Sequence, residues 1–281
     1  MEEHSFEGFA SLKLRGLFWD AAEPTAALLV VHGFGEHGGR YARMAAHMNE
    51  LGISVMAYDL RGHGRSEGAR GTVLAWTEYR EDARAAVAVL TDRYPALPLF
   101  VLGHSVGGTI ALDYILETRQ DPRGAIISAP ALGRPGVSPV LVAIAGMLSA
   151  VAPRIVFSTG LDTNAMSRIP DECRKYRDDP LVHDKACVRL STELKAAQKR
   201  IFASAPAMST PLLLTYGSAD SVAPHEPIEE FYRSAGSADK ELRIFEDAFH
   251  EIHNDLVREE VHALYSGWIH AHLRRPANRD A

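Results

Sequence analysis

The stretch Leu99-Phe-Val-Leu-Gly103-His104-Ser105-Val106-Gly107-Gly108 decides the fold predicted for this chain of 281 residues. Its apolar first half predicts a strand, and residues 107–116 carry apolar side chains three to four positions apart, which predicts a helix. Ser105 stands between them in the pattern G-x-S-x-G, which in this strand–turn–helix context is typical of a nucleophile elbow. Such a turn has room only for small residues where Gly103 and Gly107 stand. A glycine-rich turn with a surface serine is the alternative.

Predicted strands and helices alternate on both sides of this stretch. The strands are expected at residues 11–19, 26–31, 54–59, 99–103, 124–128, 211–216 and 241–245. The helices are expected at 40–51, 77–94, 107–116, 226–235 and 254–273, with Thr77 as the N-cap of the second. Regular alternation of this kind favours a mostly parallel central sheet with helices on both faces.

The alternation stops between residues 131 and 206, where we predict a helical insertion. Within it, the longest apolar stretch, 139–152, is too short to span a bilayer, which needs about 20 residues. Residues 137–151 are apolar nearly all round, so they form either a core helix or one that dips into a membrane or micelle surface. The predicted domains are a core at 1–130, a cap or lid at 131–206, and the rest of the core at 207–281.

The composition excludes several classes of protein. The net charge is −6 and no basic run is present, which argues against nucleic-acid binding. The two cysteines, Cys173 and Cys187, form no CxxC motif, so neither a disulfide framework nor a zinc cluster is indicated. The glycine pattern does not match a dinucleotide site, so we expect no cofactor. Because the N-terminus is acidic and lacks an apolar run, we expect no signal peptide and a cytoplasmic location.

A nucleophilic serine needs a base, and the base needs an acid that orients it. In α/β-hydrolases the order along the chain is Ser, Asp or Glu, then His, with each partner on a loop after a later strand. Asp220 follows the predicted strand 211–216, and His250 follows the predicted strand 241–245. Ser105, Asp220 and His250 are therefore the predicted catalytic triad.

Other residues compete for these roles. Asp220 alone would be an ordinary turn or N-cap aspartate. Glu246 and Asp247 are rival acids on the loop before His250, and His253 is a rival base that we expect about one turn into the last helix, facing elsewhere. His250 and His253 are three positions apart, whereas the zincin motif needs four, so we expect no metal site.

The reaction also needs donors for the oxyanion that develops on the carbonyl oxygen. The backbone N–H of Val106 is one predicted donor, and that of Phe34, in the sequence His32-Gly-Phe-Gly35, is the second. A simple glycine-rich turn is the alternative for the second stretch.

Five stretches together resemble the monoacylglycerol lipases and related lysophospholipase-like serine hydrolases of the α/β-hydrolase superfamily. They are HGFGEHGGRY at His32–Tyr41, YDLRGHGRS at Tyr58–Ser66, GHSVGG at Gly103–Gly108, GSAD at Gly217–Asp220, and FHEIHN at Phe249–Asn254. The resemblance covers nearly the whole chain and includes the insertion, at Leu161–Arg168 and Tyr176–Leu181.

The resemblance implies a cap over a tunnel for an acyl chain. It also implies that Glu36, Arg40 and His253, with Tyr176 of the cap, bind the glycerol hydroxyls of the substrate. An ion pair between Glu36 and Arg40, four positions apart at a helix start, is the alternative. Val106 departs from the family, which usually has Met there, but this leaves the backbone donor unchanged.

The expected activity is hydrolysis of a monoacylglycerol to fatty acid and glycerol, through an acyl-enzyme on Ser105. Because His250 acts as a neutral base, activity should rise through roughly pH 6–7. The rivals are a lysophospholipase, a thioesterase, an aminopeptidase or a general carboxylesterase on the same triad, and a non-catalytic binding protein with this fold. A phosphate-bearing substrate would need a basic rim, for which the cap offers Arg168, Arg174, Lys175 and Arg177. The expected partners are a lipid ester and, through the cap, a membrane or micelle surface.

Overall fold

Eight strands form one sheet in a computed structural model of the chain, which describes residues 1–118, 122–133 and 146–273. In chain order the strands are β1 Glu2–Glu7, β2 Lys13–Trp19, β3 Ala26–Val31, β4 Ile53–Tyr58, β5 Leu99–His104, β6 Gly124–Ser128, β7 Val156–Ser158, β8 Lys185–Cys187, β9 Leu212–Gly217 and β10 Lys240–Phe245. The helices are α1 Ala42–Glu50, α2 Trp76–Arg93, α3 Val106–Thr118, α4 Pro170–Asp178, α5 Val188–Ser204, α6 His225–Ser234 and α7 Arg258–Leu273. Residues 146–151 are also helical.

The sheet is mostly parallel. Its strand order is β1-β2-β4-β3-β5-β6-β9-β10, and only β2 runs against its neighbours. The pairs from β4 through β10 are all parallel, so their carboxyl ends meet at one edge of the sheet. In open parallel sheets that edge is where ligands bind. The predicted fold class, a mostly parallel sheet with helices on both faces, is confirmed.

Two apolar cores lie on opposite faces of the sheet. In β3, Leu29 and Val31 pack into the core beneath α2 and α3, while Leu28 and Val30 pack into the core beneath α1 and α7. Successive side chains of a strand point to opposite faces, so every residue of this strand is buried. This explains why β3 reads as a continuous apolar run rather than an alternating one.

Two local features differ from the predictions. The edge strand β1 was not predicted, because only one of its six side chains is buried and no apolar pattern marks it. The second is the start of α2, where Thr77 is not the N-cap: the helix begins at Trp76 and its N-cap is Ala75. Glu78 takes over the capping role, since its carboxylate accepts the backbone N–H groups of Leu74 and Ala75 at 3.1 and 2.9 Å.

Between β6 and β9 the described residues add no strand to the central sheet. They contain α4 and α5, as a helical insertion would. They also contain the antiparallel pair β7 and β8, in which Val156 lies opposite Cys187. This strand pair was not predicted, because strands of three residues are too short to leave a periodic signal. Most of the predicted helix 137–151 lies outside the described residues.

Candidate active site

Ser105 lies on a sharp turn between β5 and α3, at the carboxyl edge of the sheet. Its φ of +53° is in the left-handed region, which non-glycine residues seldom adopt. Two backbone hydrogen bonds hold this conformation: the Ser105 N–H donates to Ser128 O at 2.9 Å, and the Ala131 N–H donates to Ser105 O at 3.0 Å. A strained turn that presents a serine at this edge has the geometry of a nucleophile elbow.

The two glycines of the motif let the backbone approach closely. A Cβ on Gly103 would lie 2.6 Å from the carbonyl oxygen of Gly107, and a Cβ on Gly107 would lie 2.1 Å from that of Val31. Contacts that short cannot be accommodated without moving the strand or the helix. The elbow therefore requires glycine at both positions, for reasons of packing.

Asp220 and His250 meet at the same edge, on the loops after β9 and β10. His250 Nδ1 lies 2.7 Å from Asp220 Oδ2, and both residues are buried. The other oxygen of Asp220 accepts the N–H groups of Val222 and Ala223 at 2.7 and 3.0 Å, which fixes the carboxylate. With Nδ1 engaged by the acid, Nε2 of His250 is the nitrogen left to exchange a proton with a nucleophile.

The pair stabilises the charged form of each group. Burial lowers the pKa of His250, but the charge and hydrogen bond of Asp220 more than offset this, so the pKa is raised above its ordinary value. Burial raises the pKa of Asp220, and the interaction with His250 again outweighs it, so that pKa is lowered. Asp220 is therefore an ionised carboxylate beside an imidazole of raised basicity, as in a serine hydrolase.

The rival acids and the rival base lie elsewhere. Glu246 and Asp247 are exposed, and the acid that hydrogen-bonds the His250 ring is Asp220. His253 precedes α7 in the 3-10 turn Ile252–Asn254, not inside the last helix as predicted. Its ring is buried and stacked on Tyr41 at 4.8 Å, and burial lowers its pKa to about 3.

A cavity of about 640 Å³ opens over Ser105 and His250. Most of its lining is apolar and comes from both the core and the segment between β6 and β9: Phe34, Val106, Ala131, Phe157, Leu161, Met166, Ala186, Leu190, Leu194, Val222 and Ala223. A space of this size and character accepts a small apolar ligand.

Phe34 and Val106 are the predicted oxyanion-binding residues. Both line the cavity with Ser105. Within the described residues, neither backbone N–H donates a hydrogen bond. Two uncommitted N–H groups beside a nucleophilic serine are what an oxyanion hole requires.

The predicted glycerol-binding residues separate into two layers. Glu36 and Tyr176 line the cavity, whereas Arg40 and His253 lie behind that lining. Arg40 Nη1 donates to Glu36 at 2.9 Å, and its guanidinium carbon sits 4.5 Å from the centre of the Tyr176 ring. The ion pair that was the alternative to glycerol binding is thus present.

One polar residue of the site, Glu251, was not predicted. Its carboxylate binds Arg40 through both oxygens, at 2.5 and 2.7 Å, and also lines the cavity. Burial alone would raise the pKa of Glu251, but Arg40 lowers it to about 2. The signal was its place directly after His250, in the stretch FHEIHN, where only the two histidines were assigned a role.

In the described part of the chain, no helix is both long enough and apolar enough to cross a bilayer. The segment between β6 and β9 nevertheless carries a group of exposed apolar side chains beside the cavity. Six of the eleven exposed large apolar residues among those described lie between residues 147 and 157: Met147, Leu148, Val151, Ile155, Val156 and Phe157.

The chain is similar in sequence to known proteins. The family model Hydrolase_4, described as serine aminopeptidase S33, matches residues 22–257. The Mycolicibacterium smegmatis protein named monoacylglycerol lipase is 34% identical, over 96% of this chain and 98% of its own. The human protein named monoglyceride lipase is 34% identical over 88% of this chain and 82% of its own.

The chain is also similar to a solved structure. The crystal structure of the Paleococcus ferrophilus monoacylglycerol lipase has a TM-score of 0.83 and 30% identity, and covers 97% of this chain and 100% of its own. The chain therefore belongs to the Hydrolase_4 family of α/β-hydrolases and, within it, to the monoacylglycerol lipase-like serine hydrolases.

Proposed function

We propose that this protein hydrolyses monoacylglycerols to a fatty acid and glycerol. The observation that carries the proposal is that one cavity holds Ser105 and His250, a mostly apolar wall, and a polar end with Glu36, Tyr176 and Glu251. An acyl chain fits the apolar wall, and a polyol fits the polar end. The names of the relatives support the same substrate.

In the proposed mechanism Ser105 Oγ attacks the ester carbonyl while His250 Nε2 takes the hydroxyl proton. Asp220 holds the imidazole and stabilises its charged form. The N–H groups of Phe34 and Val106 bind the oxyanion, and His250 then protonates the departing glycerol oxygen. Water, deprotonated by the same imidazole, releases the fatty acid from Ser105.

At the polar end the carboxylate of Glu36 accepts hydrogen bonds, and hydroxyl groups supply them. We propose that Glu36 and Tyr176 contact the glycerol directly. Arg40 and His253 act from behind, Arg40 by holding the carboxylates and His253 by packing on Tyr41. This differs from the expectation that all four residues contact the substrate.

The cap argues against a phosphate-bearing substrate. The four basic side chains considered as a rim are each paired with an acid, and none lines the cavity. Their pairs are Arg168 with Asp255, Arg174 with Asp171, Lys175 with Glu172, and Arg177 with Asp178. Among these four side chains, a lysophospholipid or a coenzyme A thioester would therefore meet no cation without an acidic partner.

We propose that residues 131–206 act as a cap and that its exposed apolar group touches the lipid aggregate. Phe157 belongs both to that group and to the cavity lining, so the group is continuous with the route a substrate would take. Contiguous apolar exposure of this kind marks interaction surfaces. The proposed location is the cytoplasm, with transient contact at a membrane or micelle surface.

The test compares kcat/KM on 1-monolauroylglycerol, lysophosphatidylcholine, a diacylglycerol and p-nitrophenyl butyrate. We expect the monoglyceride to be preferred. Tyr176→Phe should lower kcat/KM for the monoglyceride about 3- to 10-fold, as expected for one hydrogen bond, and leave the p-nitrophenyl ester unchanged. Tyr216→Phe, which loses a hydrogen bond to Glu229 away from the cavity, is the matched control.

A preference for lysophosphatidylcholine would contradict the proposal. A preference for the short ester, insensitive to Tyr176→Phe, would indicate a general carboxylesterase. Absence of turnover on all four esters would favour the binding-protein alternative.

A further inference from the structure

The loop that carries the predicted base is tied to the loop that carries the predicted oxyanion donor. Glu251 directly follows His250, and Gly33 directly precedes Phe34. Between Glu251 and Gly33 runs an unbroken series of hydrogen bonds through Arg40 and Glu36. These two loops come from opposite ends of the chain, since 211 positions separate Arg40 from Glu251.

Each link in the series is short. Glu251 binds Arg40 through both of its oxygens, at 2.5 and 2.7 Å. Arg40 Nη1 also donates to Glu36 Oε2 at 2.9 Å. The other oxygen of Glu36 accepts the Gly33 N–H at 2.6 Å and the Tyr41 hydroxyl at 2.9 Å.

The side chains of this series are also almost fully buried. The side chains of Glu36 and Glu251 are 2% exposed and that of Arg40 is 9% exposed. Buried charges are costly unless they are paired, so removing one member leaves its partners uncompensated. The forked guanidinium reaches both carboxylates at once, which the single ammonium of a lysine does not do with the same geometry.

We propose that Glu251, Arg40 and Glu36 form a positioning bridge. It holds the Phe34 N–H in the correct position relative to His250 and Ser105. The inference rests on the proposed acyl transfer at Ser105 but not on the choice of ester. Glu251 and Arg40 are positioning residues, because they act on the reacting atoms through the two loops. A misplacement of about 1 Å in such a site can cost about 100-fold in rate.

The choice of substrate separates positioning from recognition of glycerol. p-Nitrophenyl butyrate has no glycerol, yet its hydrolysis needs the same oxyanion hole. A misplaced Phe34 N–H should therefore lower kcat on this ester as well as on 1-monolauroylglycerol. Loss of a contact to glycerol should instead raise KM for the monoglyceride alone.

The experiment measures kcat and KM on both esters for Glu251→Gln, Arg40→Lys and Arg40→Met. We expect kcat to fall about 10- to 100-fold on both esters with little change in KM, and Arg40→Lys to retain more activity than Arg40→Met. Affinity for octyl trifluoromethyl ketone, which forms a tetrahedral adduct with a serine, should fall in parallel with kcat.

Arg80→Lys is the matched control, because Arg80 pairs with the buried Asp113 at 3.1 Å on the helices α2 and α3. It should lower the thermal midpoint about as much as Arg40→Lys while kcat stays unchanged. A loss confined to KM for the monoglyceride would overturn the proposal in favour of direct glycerol binding. Unchanged kcat in the folded Arg40→Lys and Glu251→Gln proteins would overturn it as well.

The outcome is independent of substrate preference. If the wild type prefers p-nitrophenyl butyrate, the proposed function fails, and the bridge is still tested on that ester. The thermal transition of each variant shows whether it folds. If another variant fails to fold, the bridge is tested on Arg40→Lys, which keeps the positive charge. Full activity of that variant would count against the bridge.

Discussion

His250 shows how the charges around one residue set its chemistry. Asp220, Glu251 and Glu36 face it with negative charge and favour the imidazolium, whereas burial favours the neutral ring. His104 packs beside it at 4.7 Å, and burial lowers the pKa of that histidine well below its ordinary value. Together these groups leave the pKa of His250 raised.

This predicts a pH dependence. A general base works only when neutral, so kcat/KM on p-nitrophenyl butyrate should rise with an apparent pKa above the ordinary value of 6.5. The rise is thus displaced upward from the expected pH 6–7. Asp220→Asn should lower that apparent pKa, because the negative charge that raises it is gone. The same substitution should lower kcat by about 10⁴-fold. A rate that is flat between about pH 5 and 8 would contradict the role of His250.

Some residues of the site could be predicted from the sequence and others could not. The placement of Ser105, Asp220 and His250 at one edge of the sheet could be, because motif and strand ends are local signals. Glu251 and its contact with Arg40 could not, since no local pattern reports a pairing across 211 positions. The backbone requirement at Gly107 was predicted, but the carbonyl that imposes it, that of Val31, was not.

At the scale of elements, buried strands were predicted best. β3 lies at the predicted residues because a strand buried on both faces is a continuous apolar run. β1 and the pair β7–β8 were missed, since they are exposed or only three residues long. The start of α7 at Arg258 was misplaced by four residues, because a 3-10 turn with a buried face precedes it.

The apolar group in the predicted cap gives a prediction at this scale. Val151 is 81% exposed, and replacing it with Asp should remove its burial in a lipid aggregate. We expect Val151→Asp to lower kcat/KM about tenfold on micellar 1-monolauroylglycerol, as one buried aliphatic side chain is worth about 1.5–3 kcal/mol. The rate on dissolved p-nitrophenyl butyrate should not change.

Leu51→Asp serves as the control, because Leu51 is also an exposed aliphatic residue, 41% exposed at the end of α1. It should affect neither rate. Equal activity of Val151→Asp and the wild type on micelles would show that this group does not contact the aggregate.

At the scale of the whole molecule, the sheet brings together loops that are far apart in sequence. The strands β3, β5, β9 and β10 each contribute one part of the site at the same edge: the predicted oxyanion loop, Ser105, Asp220 and His250. The parallel strands make this possible, and the regular alternation of the sequence predicted a mostly parallel sheet but not the order of its strands. The segment between β6 and β9 then supplies much of the apolar wall over Ser105.

The central claim is that Ser105 carries the acyl group during turnover. The most direct measurement is mass spectrometry of the peptide that contains Ser105, after rapid acid quench of the enzyme mixed with excess 1-monolauroylglycerol. We expect a lauroyl ester on Ser105, formed at a rate no slower than kcat and absent from the Ser105→Ala protein. Turnover without this adduct, or an adduct that persists in Ser105→Ala, would contradict the account.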